Sequence, residues 1–281
     1  MKYILIDLQV DDQAVATITL NRPDKRNAMS DDMRSEFIHA LEHVAATKAI
    51  RALVLTGAGQ GFCAGGDIRM IAESGAGDGR AARDFFFTEY RLNHVLFHYP
   101  KPVVALLDGI TMGGGVGISM PARFRVATQN TTYAMPETGI GLFPDVGGGW
   151  YLPRKPGEIG MWLALTGARI KAADCMVAGI ATHYVPAEKL DAVRAQVSSA
   201  AGTSDAAGAI ETLLDALNEK PGALKELTPQ NVARIDQLFA GASVEAILAA
   251  TEISWMMNFC RFKRHFITHW LKLALDLWFT C

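Results

Sequence analysis

Glycine clusters at three points of the chain constrain its fold more than any other feature. The clusters are GAGQGFCAGGD (57–67), GITMGGGVG (109–117) and DVGGG (145–149), and the first two follow the apolar runs ALVLTG (52–57) and VVALLDGI (103–110). Glycine at the end of a strand permits a tight turn and lets a backbone N–H approach a ligand without an intervening side chain. The chain is therefore expected to build strand–turn–helix units around these glycines.

The order of predicted elements in the first half of the chain indicates an α/β fold. Residues 3–10 and 14–22 predict a β-hairpin, and Ser30 is expected to cap a helix that reaches about Thr47. A long aromatic helix over about 82–99 is expected to stop before the proline that follows it. Strands and helices in alternation favour layered packing with right-handed crossovers.

The second half of the chain is mostly helical in its pattern. We predict an α/β core over residues 1–185 and a helical C-terminal region over residues 186–281. The helices predicted after Gly157 cover 158–167, 187–200, 206–219, 228–240 and 243–250.

Composition and charge exclude several classes of protein. Half of the 281 residues are apolar and 20% are charged, so the chain can bury a core. The 27 Lys and Arg residues nearly balance 29 Asp and Glu residues, which gives a net charge of −2 and no general attraction for nucleic acid or an anionic membrane. No nucleic-acid partner is expected.

Cysteine usage and the N-terminal sequence bear on the expected compartment. The four cysteines are far apart and form no CxxC pair, which fits a reducing environment, and residues 1–13 lack the features of a secretory signal peptide. A cytoplasmic location is therefore predicted. The apolar stretch 266–280 is interrupted by charged residues and is shorter than the ~20 residues needed to span a bilayer, so no membrane span is expected.

The glycine clusters do not match a phosphate-binding loop. Neither GxxxxGK[ST] nor GxGxxG is satisfied, because Phe62 and Ile118 stand where the patterns need glycine. Glycine turns also suit a second purpose, since two backbone N–H groups that face one oxygen form an oxyanion hole. Tight turns alone remain the alternative explanation of the glycines.

Three segments carry a resemblance to a known family. The segments FCAGGDIRMI (62–71) and KPVVALLDGITMGGGVGIS (101–119), with NRPDKRNAMS (21–30) before them, resemble the signature of the crotonase (enoyl-CoA hydratase/isomerase) superfamily. The resemblance implies a crotonase-like (ββα) spiral core and an oxyanion hole made by the N–H groups of Gly66 and Gly114. It also implies a coenzyme A contact along the residues Ala64, Gly65, Asp67 and Ile68.

Carboxylates decide which reaction such a hole serves, because the family shares the hole and varies the acid and base groups. The hydratase pattern requires a glutamate where this chain has Gly117, so simple hydration is disfavoured. A second carboxylate position of the family is met by Glu137, and Asp145 follows eight residues later, ahead of a glycine-rich helix start. The resemblance implies that Glu137 and Asp145 are the catalytic pair.

The segment AMPETGIGLFPDVGGGWYLPR (134–154) is similar to the branch of the family that hydrolyses 3-hydroxyisobutyryl-CoA in valine breakdown. Hydrolysis of a short 3-hydroxyacyl-CoA thioester is therefore expected, with the carboxylate acting as nucleophile or as general base. The resemblance implies no cofactor, since coenzyme A enters as part of the acyl-CoA substrate. Three alternatives stay open: isomerisation by Glu137 alone, a coenzyme A binding protein with an incomplete site, and carboxylates that only cap helices.

Other candidate residues are assigned to structure. His39, Glu42 and His43 satisfy HxxEH, but on a helix they lie opposite the apolar stripe, so no metal site is predicted. Cys63 lies beside the predicted hole without a partner base and is not expected to be a nucleophile. Beyond about residue 250 the chain departs from the hydrolase branch, and its amphipathic tail is expected to cover the core or to contact a subunit or membrane. The oligomeric state is left open, a homo-oligomer included.

Overall fold

The computed structural model of the chain describes residues 3–12 and 14–256. A six-stranded sheet runs in the order β1-β2-β3-β5-β7-β10, and only the β1–β2 pair is antiparallel. Its strands are β1 (Ile6–Val10), β2 (Val15–Leu20), β3 (Ala52–Gly57), β5 (Val103–Leu107), β7 (Phe124–Ala127) and β10 (His183–Tyr184). The predicted N-terminal hairpin is confirmed by β1 and β2.

A smaller sheet of four strands lies beside the first in the order β4-β6-β8-β9. Its strands are β4 (Gly61–Cys63), β6 (Ile110–Met112), β8 (Thr132–Ala134) and β9 (Ile170–Lys171). The first three are parallel to one another, and β9 is antiparallel to β8. The carboxyl ends of β4, β6 and β8 therefore meet at one edge of this sheet.

Most of the predicted helices are confirmed to within three residues at each end, but the helix predicted over 243–250 continues to Met256, and the helix over 172–177 was not predicted. The side chain of Ser30 accepts a hydrogen bond from the Met33 N–H, as expected of the residue that caps the first long helix. The helices are α1 (Asp31–Ala46), α2 (Ile68–Gly75), α3 (Arg80–Phe97), α4 (Gly114–Ser119), α5 (Gly148–Tyr151), α6 (Ile159–Thr166), α7 (Ala172–Val177), α8 (Leu190–Ala201), α9 (Ala206–Leu217), α10 (Pro229–Phe239) and α11 (Val244–Met256).

From β3 to β8, consecutive strands alternate between the two sheets. Each of β3, β5 and β7 is followed at once by a strand of the smaller sheet and then by a helix, so the unit strand, strand, helix repeats along the chain. This arrangement confirms the predicted ββα core. The expectation of one strand over 103–110 is wrong, because Gly109 (φ +88°) turns the chain from β5 into β6, and a side chain there would collide with the backbone of Gln60.

The core strands are apolar because both of their faces are covered. On β3, Leu53 and Leu55 pack into the buried cluster that includes α1, whereas Ala52 and Val54 pack into the cluster that includes α8 and α9. A strand covered on both faces reads as a continuous apolar run rather than an alternating one, which explains ALVLTG.

The last strand ends at Tyr184, and the described chain beyond it is helical. Helices α10 and α11 share a third buried cluster with α6 and β9, so this helical region packs on the core. The boundary between residues 185 and 186 stays a prediction.

Within residues 3–12 and 14–256, no helix is both long and apolar enough to cross a membrane. The predictions for the tail, including the stretch 266–280, lie outside the described residues.

Candidate active site

Two glycine turns touch each other at the shared edge of the smaller sheet. Gly65 and Gly66 follow β4, while Gly113 and Gly114 follow β6. A side chain added at Gly65, whose φ is +110°, would lie 3.6 Å from the Gly114 nitrogen and 3.2 Å from the Met112 oxygen. The turns approach this closely only because they carry no side chains.

The N–H groups of both predicted oxyanion glycines are unused by the protein. Met29 bonds to the residues on either side of Gly66, from its N–H to the Gly65 oxygen (2.8 Å) and from the Asp67 N–H to its own oxygen (3.2 Å). Gly114 is the first residue of α4. Among the described residues, no acceptor takes the N–H of Gly66 or of Gly114. Both groups are thus available to a ligand, and their joint role as an oxyanion hole stays a prediction.

Glu137 lies beside these turns because it follows β8 at the same edge. Its side chain is buried (6% exposed), and its Oε1 lies 3.3 Å from the point that a side chain at Gly113 would occupy. Its Oε2 has no hydrogen-bond partner among the described residues. Burial raises the pKa of Glu137 to about 7, so the carboxylate is a stronger base than an exposed glutamate.

Asp145 is buried in the turn that precedes α5, and a tyrosine from α3 orients it. The Tyr90 hydroxyl donates a hydrogen bond of 2.9 Å to Asp145 Oδ2. Burial raises the pKa of Asp145, and the bond from Tyr90 opposes that rise. Neither carboxylate of the predicted pair makes a side-chain bond that caps a helix. The helix-cap explanation of these residues therefore has no support in their contacts.

Glu89 is a third buried carboxylate of the site, and sequence reasoning missed it. It is 3% exposed, and its unpartnered Oε1 lies 2.5 Å from the point that a side chain at Gly114 would occupy. Burial and then the charge of Asp145 raise the pKa of Glu89 to about 7, while the Arg34 guanidinium opposes the rise. A carboxylate at a core position of an amphipathic helix was the signal that could have revealed it.

The residues expected to contact coenzyme A form the segment between β4 and α2. Gly65 is buried, Ala64 and Asp67 are half-buried, and Ile68 is exposed. Asp67 directly precedes α2, and its carboxylate pairs with Arg22 at 3.3 Å. The structure brings this segment beside the glycine turns, and its contact with coenzyme A stays a prediction.

The residues assigned to structure lie where that assignment expects them. Cys63 is fully buried, and burial raises the pKa of its thiol to about 12, so the thiolate needed for attack is not formed at neutral pH. His39, Glu42 and His43 are exposed on α1.

Comparison with known proteins agrees with the geometry of the fold. A family described as enoyl-CoA hydratase/isomerase matches residues 15–270. The chain is 46% identical over 237 residues to a mitochondrial 3-hydroxyisobutyryl-CoA hydrolase of Xenopus tropicalis, covering 82% of this chain and 60% of that protein. It is 39% identical to 3-hydroxyisobutyryl-CoA hydrolase 1 of Arabidopsis thaliana, covering 85% of this chain and 63% of the relative. The chain therefore spans about three fifths of the length of these relatives.

Among structures, the chain is similar to a carnitinyl-CoA dehydratase of Mycobacterium thermoresistibile. The TM-score is 0.80 at 40% identity, and the match covers 89% of this chain and 71% of that one. An enoyl-CoA hydratase of Rhodobacter sphaeroides matches with a TM-score of 0.77 at 33% identity, over 97% and 73% of the two chains.

The predicted cytoplasmic location is wrong on this comparison. The relatives from Xenopus tropicalis, Danio rerio and Gallus gallus are all named mitochondrial. The sequence criteria behind the prediction test for a secretory signal and for disulfides, and neither criterion separates the cytosol from another reducing compartment.

The resemblance found in the sequence is confirmed, and the match over residues 15–270 shows that this chain belongs to the enoyl-CoA hydratase/isomerase family.

Proposed function

We propose that this chain hydrolyses the thioester of a short 3-hydroxyacyl-CoA, with 3-hydroxyisobutyryl-CoA as substrate and 3-hydroxyisobutyrate and coenzyme A as products. One observation carries the proposal: the buried carboxylate of Glu137 lies at a pair of glycine turns, where the N–H groups of Gly66 and Gly114 have no acceptor among the described residues. The buried carboxylate of Asp145 is close enough to Glu137 for its charge to raise the pKa of Glu137. The similarity to hydrolases of that substrate, 46% over 237 residues, supports the choice of acyl group.

In this proposal the N–H groups of Gly66 and Gly114 bind the thioester oxygen. They stabilise the negative charge that develops on that oxygen when the carbonyl carbon is attacked, and one such donor typically contributes ~2.7–4 kcal/mol. The segment from Ala64 to Ile68 holds the coenzyme A part of the substrate. Coenzyme A enters with the substrate, and the proposed reaction uses no metal and no separate cofactor.

Glu137 then carries out one of two steps. As a nucleophile, its carboxylate forms a bond to the carbonyl carbon while the carbon–sulfur bond breaks, giving an acyl anhydride that water hydrolyses and a coenzyme A thiolate that takes up a proton. As a general base, it removes a proton from the water that attacks the same carbon, after which the carbon–sulfur bond breaks and the coenzyme A thiolate takes up that proton. Asp145, oriented by Tyr90, positions the water or the substrate hydroxyl in both versions.

A hydratase or dehydratase reaction is the second candidate, since two similar structures are named a carnitinyl-CoA dehydratase and an enoyl-CoA hydratase. Gly117 counts against it, because the hydratase pattern has a glutamate there. A place in valine degradation belongs to the first candidate, since 3-hydroxyisobutyrate is the product that such a route consumes. A homo-oligomer is compatible with both candidates.

A panel of acyl-CoAs tests the proposal. The purified chain is mixed with 3-hydroxyisobutyryl-CoA, isobutyryl-CoA and crotonyl-CoA, and thiol release and loss of the enoyl double bond are followed in the same sample. Thiol release from the hydroxylated substrate is expected, and Asp145→Asn should lower it about 10²-fold or more. Change of the double bond without thiol release would establish the second candidate. Tight coenzyme A binding with neither reaction would identify a binding protein.

A further inference from the structure

Two glycines on α4 make room for two polar side chains of α3. Gly114 and Gly117 lie one helical turn apart, and Glu89 and Asn93 are likewise one turn apart on α3. A side chain at Gly114 would lie 2.5 Å from Glu89 Oε1, and a side chain at Gly117 would lie 2.9 Å from both Asn93 Oδ1 and Nδ2. Thus Asn93 occupies the space that a glutamate at position 117 would need.

The carboxamide of Asn93 has no partner among the described residues. Its Oδ1 and Nδ2 are both shielded from solvent, and neither makes a hydrogen bond within the protein. A buried polar group without a partner costs free energy, so such a group at a site is usually satisfied by water or by a ligand. An acceptor and a donor side by side suit a group that both accepts and donates a hydrogen bond, such as a hydroxyl.

Val146 connects Asn93 to the catalytic turn. Its Cβ lies 2.6 Å from the point that a side chain at Gly117 would occupy, so Val146 and Asn93 share the space above that glycine. Val146 follows Asp145 directly and has a φ of +42°, which is unfavourable for a β-branched residue. The residue that shares this space with Asn93 is thus held under backbone strain next to the second carboxylate.

We propose that Asn93 is a specificity-determining residue that binds a hydroxyl group at the reaction centre, in the place where a hydratase holds water with a carboxylate. Its Nδ2 donates a hydrogen bond to the hydroxyl oxygen, and its Oδ1 accepts a hydrogen bond from the hydroxyl group. The hydroxyl is either the 3-hydroxyl of the acyl group or the attacking water. This inference rests on the proposed function and deepens it, because a neutral carboxamide binds a hydroxyl without abstracting its proton.

The test compares ligands with and without the hydroxyl. Carba analogues of 3-hydroxyisobutyryl-CoA and isobutyryl-CoA, in which CH₂ replaces the thioester sulfur, cannot be hydrolysed, and their Kd values are measured by calorimetry. For a bound 3-hydroxyl, Asn93→Leu should weaken the hydroxylated analogue about 3- to 10-fold and leave the other unchanged. For a bound water, both Kd values should stay as in the wild type, while kcat falls about 3- to 10-fold for both thioesters.

Control variants keep this test decisive. Asn231→Leu removes an equivalent carboxamide on α10, whose Nδ2 donates to the Glu226 oxygen, and should change neither the binding nor the turnover of these ligands. Asn93→Ser, which is smaller and keeps one hydroxyl, replaces Asn93→Leu if the latter fails to fold. A folded Asn93 variant with wild-type Kd values and wild-type kcat would overturn the inference.

The test of the Asn93 contact and the test of the proposed hydrolase activity can fail independently of each other. A wild-type chain that releases no coenzyme A, yet binds the hydroxylated analogue more tightly through Asn93, would refute the hydrolase and retain the hydroxyl contact. A wild-type chain that hydrolyses the substrate while the Asn93 variants behave identically would retain the hydrolase and refute the contact.

Discussion

The segment 134–149 and helix α3 supply buried carboxylates to the same site in different ways. Glu137 and Asp145 lie on irregular backbone between β8 and α5, whereas Glu89 lies in the middle of an 18-residue helix. The carboxylates of the segment 134–149 can be recognised in the sequence, because glycines and prolines surround them and they do not belong to a periodic apolar pattern. On α3 the carboxylate shares one stripe with Phe85, Leu92 and Leu96, all buried, so helical spacing alone marks it as core.

The buried carboxylates of the two regions also differ in the groups that offset the cost of burying them. Arg34 partly offsets the cost of burying Glu89, and the Tyr90 hydroxyl does the same for Asp145. At Glu137, burial and the charge of Asp145 raise the pKa, and a backbone hydrogen bond opposes the rise in place of a cation or a side-chain donor. The pKa values of Glu137 and Glu89 are both raised to about 7, and they differ in that Arg34 opposes the rise only at Glu89. We therefore propose that the segment 134–149 carries out the chemistry and that α3 supports it.

The largest effect is expected from Glu137→Gln, which removes the proposed nucleophile or base. The amide keeps the shape of the side chain, so coenzyme A binding should persist while kcat falls about 10²- to 10⁴-fold. Steady-state kinetics with 3-hydroxyisobutyryl-CoA measure the loss, and Glu226→Gln at an exposed position provides the control. Wild-type turnover in a folded Glu137 variant would remove this residue from the mechanism.

Gly114→Val tests the turn that both regions face. The added side chain would displace Glu89 and Met29 and rotate or block the N–H, so kcat/KM should fall about 10²- to 10³-fold per folded molecule. Gly222→Val is a suitable control, because no atom lies within 4 Å of a side chain placed there. Kinetics corrected for the active fraction and thermal unfolding are measured on one sample. A loss of stability with unaltered turnover would assign Gly114 to the turn alone.

Tyr90→Phe breaks the link between α3 and Asp145 and should have a moderate effect. Because Tyr90 is partly exposed and water can replace its hydroxyl, kcat should fall only about 3- to 10-fold. Loss of the donor raises the pKa of Asp145 further, so the limb of the pH–rate profile that belongs to Asp145 should move to higher pH, while the limb expected near 7 from Glu137 should not. Tyr99→Phe removes a comparable bond to the Leu41 oxygen and should leave the profile in place. If kcat fell as far as in Glu137→Gln, the proposal that α3 only supports the chemistry of the segment 134–149 would be wrong.

The smallest effect concerns stability against pH. The pKa of Glu137 is about 7 in the folded chain against 4.5 in the unfolded chain, so the folded state holds the proton more tightly. Stability from this group is complete below pH 4.5 and is lost as the pH rises through 7. Glu137→Gln should therefore raise Tm relative to the wild type at pH 8, by roughly 2–4 °C per kcal/mol, and the difference should shrink at pH 4.5. Calorimetry at both pH values checks this, and an equal difference at both would contradict the raised pKa.

Much of the candidate site was predictable because its parts follow strand ends. Gly66, Gly114 and Glu137 are each placed by a strand of the smaller sheet, and local patterns identify the strands and the turns after them. The contact from Tyr90 to Asp145 was not predictable, since it joins residues 55 positions apart whose elements meet only after the chain has crossed between the sheets.

The sequence by itself determined the apolar runs, the Ser30 cap, the glycine turns and the spacing of Glu137 and Asp145, because these depend on local backbone preferences and on periodicity within one element. Only the tertiary structure decided that 103–110 splits at Gly109, that Gly117 lies against Asn93 and that Glu89 reaches Gly114. Periodicity in the sequence tells which side of a helix is buried. The residues that this side contacts belong to elements distant in the sequence, and the fold as a whole decides which of those elements pack there.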